Sequence, residues 1–326
     1  MAQRRVVLPA LIVAAVLAAC AAALLAVPKE AQATFPGKNG KIAYVSDQVI
    51  YTVKPNGEGK TKVTEGIDPS YSPDGKKIAY AASDGTDYEI YAINAQGGCK
   101  SQLTNNDTDD TDPAYSPNGE KIAYLRYDGT DNEIYTINVR TGNRAQLTNN
   151  EETEEEPSYS PDGKSIAYMS YAGRDNEIYT INASGENKTQ LTNNDKDDFD
   201  PNYSPDGKRI VYWAYDGSPT RGYPDGEIYT MNAFDGGGKL KLTHNNGKDD
   251  VYPSYSPDGK SIVYKGLKSL QYNDGGGAIY TISAGGGEKF RVTDTTERCG
   301  RGCYIYSFGE LSWGASVVAS LPNSGP

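Results

Sequence analysis

The chain has 326 residues, with 43 acidic and 32 basic side chains, so its formal net charge is −11. A surface this acidic excludes nucleic acid and anionic lipid as electrostatically favoured partners, and it favours cations, neutral glycans, basic peptides or plain solubility. The 26 tyrosines far outnumber the five phenylalanines, as expected where buried aromatic rings must also place a hydroxyl against polar groups.

The first 33 residues have the pattern of an export signal. Arg4-Arg5 precede an apolar run over 6–27, and the triplet ending at Ala33 matches a signal-peptidase site. Two alternatives stay open: a lipoprotein signal that ends at Cys20, and an uncleaved membrane anchor. All three predict an exported protein of the periplasm, the cell envelope or the extracellular space. Its contact with a membrane is then limited to a lipid or to this anchor.

A turn sequence then recurs along the chain. The sequence Ser-Pro-Asp/Asn-Gly occurs five times, with its serine at Ser72, Ser116, Ser160, Ser204 and Ser256. The first four copies are spaced by 44 residues. Proline presets the second position of a type I turn, and glycine suits the fourth. After each turn come Ile-Ala/Val-Tyr, then Ile-Tyr, then Leu-Thr or Val-Thr. Each repeat therefore predicts four short strands, A to D, with strand A ending at the turn.

Four-stranded units repeated every 40–50 residues are typical of β-propeller blades. The five turns begin blades two to six, and blade one begins at Lys41 without a strand A. The C-terminal segment Leu311-Ser312-Trp313-Gly314 aligns with the Pro-x-Tyr-Ser of other blades and supplies the missing strand. The sequence thus predicts an all-β, six-bladed propeller over 36–314, closed by C-terminal strand pairing. Residues 315–326 are interpreted as a tail.

The full repeat resembles that of the TolB-like β-propeller family. The matching elements are Pro-x-Tyr-Ser-Pro-Asp-Gly, Ile-Ala-Tyr, Asp-Gly-x-x-x-Glu-Ile-Tyr and Leu-Thr, and they extend over about residues 36–314. The resemblance implies the propeller fold and says little about function. TolB carries an α/β domain before its propeller, which engages inner-membrane partners. Because few residues separate Ala33 from the first strand, we expect a stand-alone propeller here, and the TolB envelope role is not carried over.

An acidic residue immediately precedes the strand-A proline in four repeats: Asp68, Asp112, Glu156 and Asp200. Strands that alternate in direction place the B–C and D–A connections on one face, where the D–A connections are rich in acids. We therefore expect the four carboxylates to surround one mouth of the central channel. There they bind a basic peptide or a hard cation such as Ca²⁺. The structural alternative is that they cap the neighbouring Asn-Asn turns.

The same face carries the segments that break the repeat. The B–C connections of blades five and six are expanded over 218–226 and 266–277, and the last D–A connection is long, over 294–309. Loops that vary on a regular scaffold are common recognition elements. Three B–C connections start with a tyrosine: Tyr127, Tyr171 and Tyr215. These side chains are interpreted either as packing residues of the repeat or as surfaces that stack on sugars or peptides.

Cys299 and Cys303 lie in one D–A connection and are predicted to form a disulfide, which export permits. Cys99 lies in a C–D turn on the opposite face, which predicts that it cannot reach them. A zinc site is unfavourable, because two sulfurs lack nearby histidine or cysteine partners.

Catalytic groups are scarce. His244 is the one histidine, and asparagine holds its place in other repeats, so we interpret it as a turn variant. A Ser-His-Asp triad would need it, and the metal-binding histidines of oligogalacturonate-type propeller lyases are missing. The sequence therefore predicts a monomeric, non-catalytic scaffold for a protein or peptide partner. A carbohydrate-binding propeller, and a metal-dependent hydrolase or lyase that uses the acidic ring, are the alternatives.

Overall fold

The computed structural model describes residues 37–171, 173–215, 225–244, 249–267, 277–295 and 311–315. The predicted export signal, most of the expanded loops, and Cys299 and Cys303 lie outside these residues. Within them, every regular element is a β-strand, and no helix is long and apolar enough to span a bilayer.

Twenty-four strands are described, in six sheets of four. In chain order they are β1 (Asn39–Ser46), β2 (Val49–Val53), β3 (Thr61–Glu65), β4 (Ile67–Tyr71), β5 (Lys77–Ser83), β6 (Tyr88–Asn94), β7 (Ser101–Gln102), β8 (Asp110–Tyr115), β9 (Lys121–Tyr127), β10 (Asn132–Asn138), β11 (Arg144–Gln146), β12 (Glu154–Tyr159), β13 (Ser165–Tyr171), β14 (Asn176–Asn182), β15 (Thr189–Gln190), β16 (Asp198–Tyr203), β17 (Arg209–Tyr215), β18 (Gly226–Asn232), β19 (Leu240–Lys241), β20 (Asp249–Tyr255), β21 (Ser261–Leu267), β22 (Gly277–Ser283), β23 (Lys289–Thr295) and β24 (Leu311–Ala315).

The sheets are the six predicted blades. Blade one has the order β24-β1-β2-β3, and the others take consecutive strands from β4-β5-β6-β7 to β20-β21-β22-β23, all antiparallel. The six A strands (β24, β4, β8, β12, β16 and β20) contact one another in a closed circle, so they form the inner wall of the ring. The prediction of a six-bladed, all-β propeller is confirmed.

Ring closure by the C-terminal strand is also confirmed. Strand β24 pairs with β1, and Trp313 lies opposite Ile42. Tyr71 lies opposite Ile78 in the equivalent position of blade two, so Trp313 takes the place of the repeat tyrosine. The strand extends to Ala315, one residue beyond the predicted end of the propeller.

The core lies between blades, where stacked tyrosines account for the unusual composition. In each blade a strand-B tyrosine is almost completely buried and lies opposite a strand-C tyrosine, as Tyr80 lies opposite Tyr91. The ring centroids of these six pairs are 5.6–5.9 Å apart. Such pairs add about 0.5–1.5 kcal/mol beyond the burial of their surface. Because neighbours cover both faces of each sheet, strands B and C are apolar on both sides.

The repeated turn is held by its own side chains. In the first copy, Gly75 donates its N–H to the Ser72 carbonyl at 2.8 Å, and its φ of 67° needs glycine. The Ser72 hydroxyl donates to Asp74 at 2.8 Å and accepts the Lys77 N–H at 2.9 Å. The serine and the aspartate, or the asparagine that replaces it in the second copy, therefore stabilise the turn together with proline and glycine.

Replacing Trp313 with alanine is expected to lower the free energy of unfolding by about 3–5 kcal/mol. Its side chain is 5% exposed, and its Nε1 donates to the Gly40 carbonyl at 3.3 Å, so the change opens a cavity in the closing blade. Urea unfolding followed by circular dichroism measures the loss. Phe290→Ala is the control, because Phe290 is 66% exposed. Equal losses in the two variants would contradict this account of closure.

Candidate functional site at the channel mouth

The residue before the strand-A proline has an unusual backbone conformation in blades two to six. Its φ lies between 49° and 58° in all five: Asp68, Asp112, Glu156, Asp200 and Tyr252. Register shifts interrupt the A–B pairing at these positions, as between Thr111 and Ala114. A residue before proline normally stays in the β region, so each conformation costs about 1 kcal/mol or more. The bulge is therefore a repeated feature next to the channel.

Some acids close to the D–A connections lie within strand A itself. Strand β8 starts at Asp110 and β12 starts at Glu154, so both precede the bulge inside their strands. Pairing with strand B begins at these acids, before the bulge, and resumes after it.

The four predicted acids form two neighbouring pairs. The Asp68 and Asp112 side chains hydrogen-bond to each other, and the Glu156 carboxylate accepts the backbone N–H of Asp200. The negative charge of Asp200 also acts on Asp112, so the two pairs belong to one electrostatic group.

The members of this group differ in access to the channel. Glu156 and Asp200 line the cavity together with Tyr252, whereas Asp68 and Asp112 do not. Asp68 is completely buried, and Asp112 and Asp200 are equally close to full burial. The rest of the wall consists of Pro-x-Tyr segments from the A strands and of the β24 residues Leu311, Ser312 and Trp313.

Burial changes the protonation of the group. Desolvation raises the pKa of Asp112 to about 6, opposed by the hydrogen bond with Asp68 and reinforced by the charge of Asp200. Desolvation likewise raises the pKa of Asp200 to about 6, opposed by hydrogen bonds with Glu156, the Trp213 indole and the Tyr252 N–H. The pKa of Glu155 rises to about 7 through desolvation and the charges of Asp112 and Asp200. Near neutral pH, the mouth therefore carries less negative charge than its residue count gives.

The middle residues of the Pro-x-Tyr segments form a belt around the channel that was not predicted from the sequence. Ser312 Oγ accepts the Tyr71 N–H at 3.0 Å, and Ser70 Oγ accepts the Tyr115 N–H at 3.3 Å. On the other side of the ring, Asn202 Oδ1 accepts the Tyr255 N–H at 3.1 Å. These bonds join consecutive A strands. The signal was present, because the middle residue is small and polar in every blade but the third, which has Ala114: Ser70, Ser158, Asn202, Ser254 and Ser312.

Other D–A acids have structural roles. Asp109 Oδ1 accepts the Tyr88 N–H at 2.8 Å and Asp197 Oδ1 accepts the Asn176 N–H at 2.9 Å, each at the start of strand C in the preceding blade. These bonds hold the B–C and D–A connections together on one face. These two acids therefore cap strand C of the preceding blade, and the structural alternative for the four channel-mouth acids stays a prediction.

Asparagines bridge buried acids at the junctions between blades. The Asn150 N–H donates to Glu133 Oε1 at 2.6 Å, and its side chain donates to Glu154 Oε1 at 2.9 Å. Desolvation and the hydrogen bond with Glu133 raise the pKa of Glu154 to about 8. One junction earlier, Asp110 occupies the position of Glu154 and pairs with Arg126 at 2.8 Å.

Tyr127 and Tyr171 are 43% and 49% exposed, whereas Tyr215 packs against Phe199 and Trp213. His244 is exposed. Cys99 is disulfide-bonded, and because it is the one cysteine among the described residues, its partner lies outside them.

Sets of three acids with oxygens within 4.8 Å of one another occur twice among the described residues, each in a B–C turn and the start of the following strand C: Asp84, Asp87 and Glu89, and Asp128, Asp131 and Glu133. The channel-mouth acids form no such set, and Ca²⁺ at the mouth stays a prediction.

Comparisons with known proteins agree with the repeat. Residues 112–224 match the model of the TolB beta propeller domain, which confirms the resemblance to TolB-like propellers. No curated protein matches the chain.

Solved structures support the same fold. The chain superposes on TolB from Acinetobacter baumannii with a TM-score of 0.69 and 22% identity, over 86% of this chain and 68% of that one. The values for a putative TolB from Agrobacterium tumefaciens are 0.63 and 19%, over 85% and 99%. An oligogalacturonate lyase in complex with manganese gives 0.52 and 14%, over 79% and 75%. At these identities the likeness concerns the fold.

Asp112→Asn is expected to stabilise the chain at pH 8 by roughly 1–3 kcal/mol and to have little effect at pH 4.5. Because the folded-state pKa is about 6, above the usual Asp value, the stability contributed by Asp112 is complete below about pH 4 and is lost as the pH rises through 6. Asparagine also accepts the positive φ of this site.

Urea unfolding at the two pH values measures the effect. Asp107→Asn, an exposed change in the same D–A connection, is the control and should show no such difference between pH values. A gain for Asp112→Asn that is the same at pH 4.5 and pH 8 would contradict the raised pKa.

Proposed function

We propose that this chain, which is a TolB-like β-propeller, is a non-catalytic scaffold that binds a basic peptide or protein segment at its channel mouth. The fold supports a role in protein interaction in general terms. The basic character of the partner is the finer part of the proposal, and it comes from the charges of the mouth. The export signal predicted in the first 33 residues supports a location outside the cytoplasm for this activity.

The observation that supports this proposal most directly is that the charged residues of the channel wall are all acidic. Glu156 and Asp200 contribute carboxylates, and no lysine, arginine or histidine lies among the described residues that line the cavity. Carboxylates in a concave, partly desolvated site attract cations more strongly than the same groups on an open surface. A lysine or arginine side chain that enters the mouth would gain both carboxylates at once.

The attraction is strongest on the side of blades four and five. Lys265 of blade six is buried, and its Nζ lies 5.9 Å from the Tyr252 ring centroid, so positive charge already approaches that side. The Trp213 indole donates a hydrogen bond to Asp200, and this neutral donor leaves the negative charge of the carboxylate in place. A basic side chain is therefore expected next to Glu156.

The contacts of Asp200 also favour binding over catalysis. A hydrolase or lyase at this mouth needs a general base, and Asp200, with a pKa near 6, is the best placed candidate. Its carboxylate already accepts hydrogen bonds from the Trp213 indole and the Tyr252 N–H, which hold it in place as a fixed charge.

Carbohydrate binding is the second candidate. Tyr127 and Tyr171 start the B–C connections of adjacent blades, and both rings are about half exposed. Exposed tyrosines at equivalent positions offer stacking surfaces for pyranose rings, which are neutral and are not repelled by an acidic face.

Glu156→Gln is expected to weaken binding of lysine- and arginine-containing peptides by about tenfold, because it removes one of the two carboxylates of the wall. Gln can still accept the Asp200 N–H, so the bulge stays intact. Fluorescence anisotropy with a labelled library of basic hexapeptides measures the change, and raising the salt concentration should weaken binding by the wild type.

The control is Glu186→Gln, the same chemical change at an exposed C–D turn of the same blade but on the opposite face. Equal peptide affinity in the wild type and Glu156→Gln would reject the mouth as the binding site. Binding of glycans, and not peptides, that is lost in Tyr127→Ala and Tyr171→Ala would favour the second candidate.

A further inference from the structure

We propose that Asp128, Asp131 and Glu133, in the B–C turn of blade three and the adjoining start of strand C, bind a Ca²⁺ ion. This site is separate from the channel mouth, and it does not depend on the proposed function.

The spacing of the three carboxylates suits such an ion. One oxygen from each residue lies within 4.8 Å of the other two. Ca²⁺ holds its ligands at about 2.3–2.6 Å, so two oxygens on opposite sides of one ion are about 5 Å apart. The three side chains therefore meet the distance requirement where they stand, and water molecules can complete the six to eight ligands that Ca²⁺ takes.

Asp131 provides an independent indication of a ligand. Its side chain is 7% exposed, and its Oδ1 is buried and accepts no hydrogen bond. The charges that act on its carboxylate are those of Asp128, Glu133 and Glu151, all negative. A buried carboxylate oxygen without a donor or a cation is unfavourable. A bound cation would supply both the positive charge and the missing ligand contact.

The neighbouring junction shows how the same charge is balanced elsewhere. Arg126 lies opposite Asp110 and pairs with it, which neutralises the junction between blades two and three. In the next junction Ser170 takes the place of Arg126, opposite Glu154. The neighbouring charges that act most on Asp131 and on Glu154 are negative. A cation at Asp131 would restore the balance that the serine removes.

Blade four offers a natural comparison. Its equivalents of Asp131 and Glu133 are Asp175 and Glu177, but alanine takes the place of Asp128 at position 172. An arginine, Arg174, also follows, and its positive charge acts on Asp175. The blade that lacks the third acid therefore carries its own cation, whereas blade three has the third acid and no basic residue in the turn.

The test is calcium titration of the EDTA-treated full chain by isothermal titration calorimetry, with thermal unfolding measured in Ca²⁺ and in EDTA. Asp131→Asn should bind about one ion fewer per chain than the wild type and lose part of the Ca²⁺-induced rise in Tm. In EDTA it should melt at or above the wild-type temperature, because an uncompensated buried charge has been removed. This second measurement shows that the variant folds.

Asp128→Asn should lose the same ion, since its remaining oxygen can still accept the Thr130 N–H that holds the turn. Asp175→Asn is the matched control in blade four and should bind as many ions as the wild type. The proposal is overturned if the wild type binds no Ca²⁺, or if Asp131→Asn binds as many ions as the wild type. It is also overturned if Asp175→Asn loses an ion as well. Ions bound at the channel mouth do not affect this comparison, because the wild type and all three variants have the same channel-mouth residues.

Discussion

The pairing of β24 with β1 is the constraint on which the rest of the molecule depends. It joins residues 273 positions apart, as the contact between Trp313 and Gly40 shows. Without it, blade one would expose an edge, and the A strands could not form a closed wall. The belt formed by the middle residues of Pro-x-Tyr would lose the hydrogen bond between Ser312 and Tyr71. The channel mouth would lose the frame that holds its acids together. The acidic site is thus a consequence of closure.

The sequence predicted the fold more completely than the site, for identifiable reasons. The turn motif marks blades two to six, its first four copies at a 44-residue period, and Trp313 could be aligned with Tyr71 because both end a strand A. The bulge before each strand-A proline leaves no equally clear mark, since a residue before proline ordinarily stays extended. The burial of Asp68, the raised pKa of Asp112 and the Cys99 disulfide depend on contacts between distant segments, which periodicity does not reveal.

Much of the acidity of this chain lies inside the propeller, and three of the described blade junctions balance it in different ways. Asp110 is paired with Arg126, Glu154 keeps its proton near neutral pH, and the Glu227 carboxylate lies 3.4 Å from Lys241. The formal charge of −11 therefore overstates the charge carried at neutral pH, because it counts Glu154 as ionised. Identical folds can tolerate such different junctions because the bridging asparagine adapts to either carboxylate length.

The outermost strands determine how the ring meets other chains. Four of them, β7, β11, β15 and β19, have only two or three residues, too few to template an added strand. Strand β23 has seven residues and exposes Phe290 on its outer edge. Edge-to-edge aggregation of the folded protein is therefore suppressed around most of the circumference, and blade six is where self-association by strand addition would begin.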